Sequence, residues 1–504
     1  MKEHWKNYSL VASIIVLGVL VAEATTRYLD NLPVFATYFP QALSSQASTS
    51  EQRDKVSVSP GVSPEWFFAN PASLPNRTNP SADWLRRSEE AQQAEQMARA
   101  SGPVLFQPAD MFKVWNTLWV GDPCTNAMLK SMRARSLYFF DPPDGIPFPR
   151  YRYYPNATNP GGLVTNEIGW RGPPLRPLTK RTVRIVFVGA STTANTHGFS
   201  WSYPELINHW LALWARSKNL DIDFQALNAA RESIYSMDNV AIVRNEVVPM
   251  QPDLVVYYEG ANQFFLTSLV PDMPPVAPPR STLTATSAPS WLQDLTRFSA
   301  LARRLQAALG AFTDNLDGRE PPKPSYRLEW PKGLDEDDPE LDFPTLPVNL
   351  NRIQADLDEI RAELATVDAE LAVASFVWFA KDGMVLDPVR HRYILQYLNR
   401  TKWPFRYGDI ERLAAFQNRV FKKYAAAHNL PFIDVARDMP RDPDLFSDAI
   451  HNTFSGLRVR AWIVFQQLVP IIEDRLARGL WPKQVERREY RPLFEPQERE
   501  LKCN

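Results

Sequence analysis

From Val183 onward, short apolar runs alternate with segments of helical periodicity. The apolar runs are Val183–Val188, Ile222–Leu227, Asp253–Tyr258, Leu371–Phe379 and Pro431–Val435. Each has the length of a strand, and each is nearly continuous in apolar residues, as strands covered on both faces are. Tyr203–Ser217 and Asp238–Val248 lie between them and read as helices. This alternation predicts an α/β fold with a flavodoxin-like, doubly wound, five-stranded parallel sheet. In such sheets the site lies at the carboxyl ends of the strands.

Leu350, Ile353, Leu357, Ile360, Leu364, Val367 and Leu371 recur at steps of three and four. Their last position already belongs to a strand, so the run is short for a coiled coil and predicts a helix packed on the sheet. One insertion, residues 264–347, interrupts the alternation. It begins with a Pro/Ser/Thr-rich stretch, Pro271–Pro289, continues through an amphipathic segment, Trp291–Phe312, and ends as a charged, Pro-rich loop, Asp314–Pro347. Leaving the carboxyl end of a strand, it is a lid or specificity element, or else a disordered surface loop.

Upstream the pattern is irregular. Ser44–Gln52 reads as a linker and Ser88–Ala100 as a polar helix. Asp141–Pro174 reads as turns and short extended pieces. The chain thus divides into an N-terminal segment (1–27), a Pro-rich linker and accessory region (28–180), a main domain (181–480) with its insertion, and a charged C-terminal tail (481–504).

Lys2 and Lys6 precede an uncharged run from Asn7 to Ala22, rich in Val, Ile and Leu. The run is short for a membrane span, which needs about 20 apolar residues. Ala22-Glu23-Ala24 resembles a signal-peptidase site. Against cleavage, Glu23 and Arg27 stand four apart and continue a helix into the interface. A soluble core helix would need a polar face, which the run lacks. The reading adopted is a retained membrane anchor, with the main domain exported to the periplasmic or extracellular side.

Composition narrows the chemistry. The formal net charge is −1 over 504 residues, with both signs mixed, so no basic face for nucleic acid is expected. Six histidines and two cysteines, Cys124 and Cys503, show no metal-ligand spacing. There is no Gly-rich phosphate loop followed by Lys-Ser or Lys-Thr. No metal and no cofactor are expected.

The candidate chemistry lies in four short blocks. Gly189-Ala190-Ser191-Thr192 follows the first strand, Asn228 to Ser233 the second, and Gly260-Ala261-Asn262-Gln263 the third. Asp448-Ala449-Ile450-His451 lies near the C-terminus. Each residue alone has an ordinary explanation: a turn serine, a turn asparagine, a helix-capping aspartate, a surface histidine. Together they supply a hydroxyl nucleophile, a base, a carboxylate to orient the base, and a neutral N–H donor for a developing oxyanion. His197 and His209 follow Ser191 too closely to replace His451. Arg231 and Glu232 line the pocket or pair on the surface.

This order of blocks resembles the SGNH/GDSL hydrolase superfamily over roughly residues 181–480. Asn166-Glu167-Ile168-Gly169-Trp170-Arg171 resembles the lead-in common in its exported bacterial members. The resemblance implies Ser191 as nucleophile, His451 as general base and Asp448 as the acid that orients it. It implies an oxyanion hole of the Asn262 side chain and the backbone N–H groups of Ser191 and Ser233. The chain departs from the family pattern at three points. Ala190 and Gln263 replace aspartates, and Ser233 replaces the oxyanion glycine, where a Cβ restricts the backbone. The resemblance implies an anchored, exported serine esterase acting on an O-acyl ester, with an acylated carbohydrate as one candidate substrate. An O-acyltransferase with the same triad, and a catalytically degenerate scaffold within a membrane complex, are the alternatives.

Overall fold

The computed structural model describes residues 2–29, 48–72, 74, 86, 89–90, 93, 117–121, 136–157, 163–195, 200–266, 269–272, 295, 299–308, 318–387, 390–484 and 487–500. The expected polar helix Ser88–Ala100 and the stretch Pro271–Pro289 lie almost wholly outside these residues, as do Cys124 and Cys503.

Nine strands occur among the described residues: β1 (Thr117–Trp119), β2 (Ser136–Phe139), β3 (Tyr151–Tyr153), β4 (Thr182–Gly189), β5 (Asp223–Asn228), β6 (Leu254–Tyr258), β7 (Glu370–Ala374), β8 (Phe432–Ile433) and β9 (Gln497–Glu500). The central sheet has the order β5-β4-β6-β7-β8, and all its pairs are parallel. The winding steps first from β4 to β5 and then back across β4 to β6, so the switch point falls between β4 and β6. Every residue of β4 and β6 is buried, which is why their sequences lack polar alternation.

Two expected strands are shorter than their apolar runs. The run Leu371–Phe379 leaves the sheet after Ala374. Its neighbour β8 has only two residues, and beyond it Phe379 N–H bonds instead to the Ala449 carbonyl at 2.7 Å. Residues 375–379 stay buried because they cross over the carboxyl edge of the sheet. Pro431–Val435 likewise reduces to Phe432–Ile433.

The helices that matter here are α1 (Lys2–Leu29), α2 (Ser191–Ala194), α3 (Tyr203–Ser217), α4 (Ser236–Ile242), α5 (Ala300–Ala308), α6 (Leu350–Ala365), α7 (Tyr407–Ala427) and α8 (Phe454–Ala477). Ser202 and Glu205 form a capping box at the start of α3. Its Trp210 meets Trp462 of α8 edge-on at 5.0 Å. The 3,4 apolar pattern is the buried stripe of α6, with Leu350, Ile353, Leu357, Ile360 and Leu364 inside, and that helix packs on α4 and β7.

The accessory region forms a second sheet of order β3-β1-β2-β9. Its last strand comes from the C-terminal tail, whose charges turn inward. Arg487 pairs with the buried Asp253 at 2.9 Å, Glu489 with Arg184 at 2.8 Å and Arg491 with Glu167 at 2.6 Å. The described end of the insertion is packed rather than free. Trp330 stacks edge-on against Phe416 of α7 at 4.9 Å, and Glu336 binds Arg412 and Arg419 of the same helix.

Within the amphipathic segment Trp291–Phe312, α5 meets the end of α1. The Glu23 carboxylate accepts the Ala300 N–H at 2.7 Å, the Leu301 N–H at 3.0 Å and the Ser299 hydroxyl at 2.8 Å. Glu23 therefore caps the N-terminus of α5 from another element, where a carboxylate is favoured. Arg27 holds Glu23 at 2.7 Å, the expected four-residue pair. Along α1, every side chain from Ser13 to Ala22 is exposed. No helix among the described residues is long and apolar enough to cross a membrane.

Candidate active site

The four blocks meet at the carboxyl edge of β4 and β6. Gly189 ends β4 opposite Tyr258 in the parallel register. A Cβ on Gly189 would run into the Tyr258 carbonyl oxygen, so the first block needs glycine there. Ser191 follows as the first residue of α2, where helix geometry leaves its backbone N–H without an intrahelical partner. The residue is 7% exposed. The short helix is held at both ends. Thr193 Oγ1 donates to the Tyr258 carbonyl at 3.2 Å, and Arg171 donates to the Ala194 carbonyl at 3.2 Å and also to that of Asn195.

His451 Nε2 lies 2.7 Å from Ser191 Oγ. Its Nδ1 lies 2.8 Å from Asp448 Oδ2, and Asp448 Oδ1 accepts the N–H groups of Ile450 and His451, each at 2.8 Å. One carboxylate thus shapes the turn and fixes the ring with Nδ1 toward the acid. Burial opposes a charged imidazole, but the bonded Asp448 carboxylate outweighs it and raises the His451 pKa above its ordinary 6.5. Burial would raise Asp448, yet its bonds to His451 hold it below the usual carboxylate range.

The second block is tied to the first, and the third to the end of the second. Arg231 N–H bonds to the Gly189 carbonyl at 3.4 Å, and Asn262 Nδ2 donates to the Ile234 carbonyl at 2.8 Å. That bond uses one N–H of the Asn262 amide and leaves a second donor on the same nitrogen. Ser233 has φ of 55°, a left-handed backbone. Glycine adopts it freely, whereas serine carries a cost of about 1 kcal/mol. Its side chain points outward and is exposed.

The strain at Ser233 is held by residues that sequence reading did not single out. Arg150 donates to the Ser233 carbonyl at 2.8 Å and grips Asp238 at 2.9 Å. Tyr151 Oη donates to the Glu232 carbonyl at 2.6 Å, and the Glu232 N–H bonds to Tyr153 Oη at 3.3 Å. Strand β3 of the accessory sheet is thus the brace for the second block. Arg150-Tyr-Arg-Tyr reads in sequence as one of several extended pieces, with no local mark of that role.

Arg231 and Glu232 are both buried, which removes the surface-pair alternative of the two readings. Arg231 pairs with Glu246 of the turn after α4, and Trp170 Nε1 donates to the same carboxylate at 2.8 Å. The lead-in therefore supports the site from beneath. Asn166 Oδ1 accepts the N–H of Trp170 at 3.0 Å to form its turn, and Arg171 holds the end of α2. His197 lies outside the described residues. Among the described residues no group of three His, Cys, Asp or Glu is placed to hold a metal ion.

No protein-family model and no curated protein matches this chain. Solved structures similar to it include a GDSL-like lipase from Bacteroides thetaiotaomicron, 11% identical, covering 60% of this chain and 92% of that one at a TM-score of 0.29. A variant of an acetyl xylan esterase from Geobacillus stearothermophilus is 13% identical, covering 57% and 97% at 0.30. A lipase/acylhydrolase from Enterococcus faecalis is 15% identical, covering 57% and 96% at 0.30. At that TM-score the likeness carries no chemistry across, and the site stands on its own residues.

Proposed function

We propose that the protein is a serine esterase that cleaves an O-acyl ester through an acyl-enzyme. The observation that carries this reading is the unbroken relay from Asp448 through His451 to Ser191, with bonds of 2.8 and 2.7 Å. Ser191 Oγ attacks the ester carbonyl while His451 Nε2 takes its proton. Asp448 stabilises the imidazolium that forms. The Asn262 amide and the Ser191 and Ser233 N–H groups receive the oxyanion. His451 then protonates the departing alcohol. In the second half a water gives its proton to His451, attacks the acyl carbon and frees Ser191. If a sugar hydroxyl replaces that water, the same residues perform acyl transfer. A bonded triad supports an enzyme over a scaffold.

The same proposal seats the apolar side of α1 at a membrane surface, since no described helix is long and apolar enough to cross one, with the main domain on the exported side. Val11, Ile14, Ile15, Val16, Leu17, Val19, Leu20 and Val21 are each more than half exposed, an apolar surface that a lipid phase would cover. A reporter joined after Leu29 that faces the cytoplasm contradicts this part alone.

Activity is tested with the purified protein and a short-chain aryl ester, with and without an acetylated xylo-oligosaccharide or a free sugar acceptor. Turnover that disappears in His451→Ala supports the esterase. Acylated sugar in preference to free acid supports the transferase form. No ester turnover and no acyl transfer contradicts both.

A further inference from the structure

Beneath the Asn262 turn lies a carboxylate that the scheme above does not use. Glu259 follows β6 directly and is wholly buried. Its Oε1 accepts two backbone N–H groups of the third block, from Ala261 at 3.0 Å and from Asn262 at 2.8 Å. Its Oε2 is buried with no hydrogen-bond partner among the described residues. Gly260 lies between, and a Cβ there would strike Gln417 Nε2 and, at 2.7 Å, Phe376. The turn carrying Asn262 is therefore clamped from outside by side chains and from within by one carboxylate.

Three titratable groups face Glu259. Lys402, from the segment after β7, reaches the Phe264 carbonyl at 3.4 Å and lies over the rings of Trp378 at 5.1 Å and Phe264 at 5.6 Å. Burial draws its pKa down to about 8, against the pull of Glu259. The hydroxyls of Tyr257 and Tyr397 are pushed upward by burial, that of Tyr397 then by the Asp448 charge, and both by the Glu259 charge, so both stay neutral. Burial pushes Glu259 itself up to about 7, against its backbone bonds and Lys402.

We propose that Glu259, supported by Lys402, is a positioning residue for the oxyanion donor: its ionised carboxylate holds the Ala261 and Asn262 N–H groups and thereby aims the Asn262 amide. This rests on the esterase reading for its kinetic consequence, though not for its structural one. Hydrogen bonds to an ionised acceptor are roughly twice as strong as neutral ones. Protonation weakens both and leaves a buried hydroxyl at Oε2 with no acceptor. The Asn262 turn then loosens.

Glu259→Gln keeps the shape and removes the ionisation. It is expected to lower kcat about tenfold with KM within about twofold, since a misdirected oxyanion donor acts on the transition state. Wild type must lose a proton from His451 to become active, and it should lose about a further tenfold wherever Glu259 is protonated. The acid limb of log kcat/KM should therefore steepen beyond a slope of one over about one log unit, and keep a slope of one throughout in E259Q. Lys402→Met removes the facing cation and should move the second ionisation upward by about one pH unit. A structural readout needs no turnover. In asparagine-labelled protein carrying His451→Ala, which silences the neighbouring ring, the Asn262 backbone amide should titrate near neutrality. With E259Q added it should be flat. An Asn262 amide that ignores pH in the His451→Ala protein overturns the inference and leaves the esterase reading intact. So does an E259Q enzyme with wild-type kcat and limb. An inert wild type instead sinks the esterase reading, while the amide titration still decides the role of Glu259.

Discussion

His451 Nε2 stands 2.7 Å from Ser191 Oγ across 260 residues of sequence. Two elements make that contact. One is the turn into α2, locked by Gly189 against the Tyr258 carbonyl. The other is the Asp448–His451 turn, whose carboxylate bonds to two backbone N–H groups and to the ring. Ser191 and His451 are thus placed by backbone constraints before any substrate arrives.

In the proposed mechanism the Asp448–His451 bond sets the pH dependence of turnover. The base must be neutral to accept the Ser191 proton, and Asp448 raises the pH at which it becomes so. Activity should therefore rise with pH through a midpoint above 6.5. In Asp448→Asn the bonded carboxylate is gone, leaving burial and Arg460 against Glu232 alone, so the histidine ionisation should move to lower pH while kcat drops by orders of magnitude. A pH–rate profile of the two proteins checks the direction. An unmoved or raised midpoint in the variant contradicts the assignment.

Asn262 should matter to the transition state and little to binding. Asn262→Ala is expected to lower kcat about a hundredfold with little change in KM, because the donor strengthens as charge develops. Steady-state kinetics on a short-chain ester separates the two constants. An effect confined to KM points to a binding role instead.

Ser233 occupies a backbone that favours glycine, at φ of 55°. Ser233→Gly should stabilise the protein by up to about 1 kcal/mol. It should leave kcat unchanged or slightly raised, since the N–H is kept. Denaturant unfolding together with kinetics tests this. A destabilised variant would mean that the exposed side chain has a role the structure does not account for.

The fold was readable where burial on both faces writes a continuous apolar run, as in Val183–Val188 and Asp253–Tyr258. It was less readable at Leu371–Phe379, where an equally buried run crosses the sheet edge instead of extending the strand. Apolarity reports burial, and pairing depends on a neighbour that here ends at Ile433. Ser191, Asn262, Asp448 and His451 were singled out because each lies in a short block after a predicted element. Arg150, Tyr151 and Tyr153 were not, since their partners Ser233, Glu232 and Asp238 lie 79 to 88 residues away and no periodicity links them. Glu259 stood beside the third block in plain sight. A lone acid ending the apolar run Leu254–Tyr258 was a signal that such a residue is buried and bonded.

Arg150 joins the accessory sheet to the second block. Arg150→Ala leaves Asp238 buried without its guanidinium and frees the Ser233 carbonyl. Breaking a buried pair costs about 3–5 kcal/mol. Arg150 is itself partly exposed, which reduces the expected loss to about 2 kcal/mol. Unfolding midpoints should fall accordingly, and kcat should fall with them as the strained turn relaxes. A stable variant with normal kcat would show that β3 does not brace the site.

The most direct test of the central claim is covalent. A fluorophosphonate reacts with a serine only where a base activates it and an oxyanion site receives the phosphonyl oxygen. Peptide mapping of the labelled protein should find the adduct on Ser191, with no labelling in Ser191→Ala or His451→Ala and much slower labelling in Asn262→Ala. A folded wild-type protein that takes up no label, or takes it up equally in Ser191→Ala, contradicts the account.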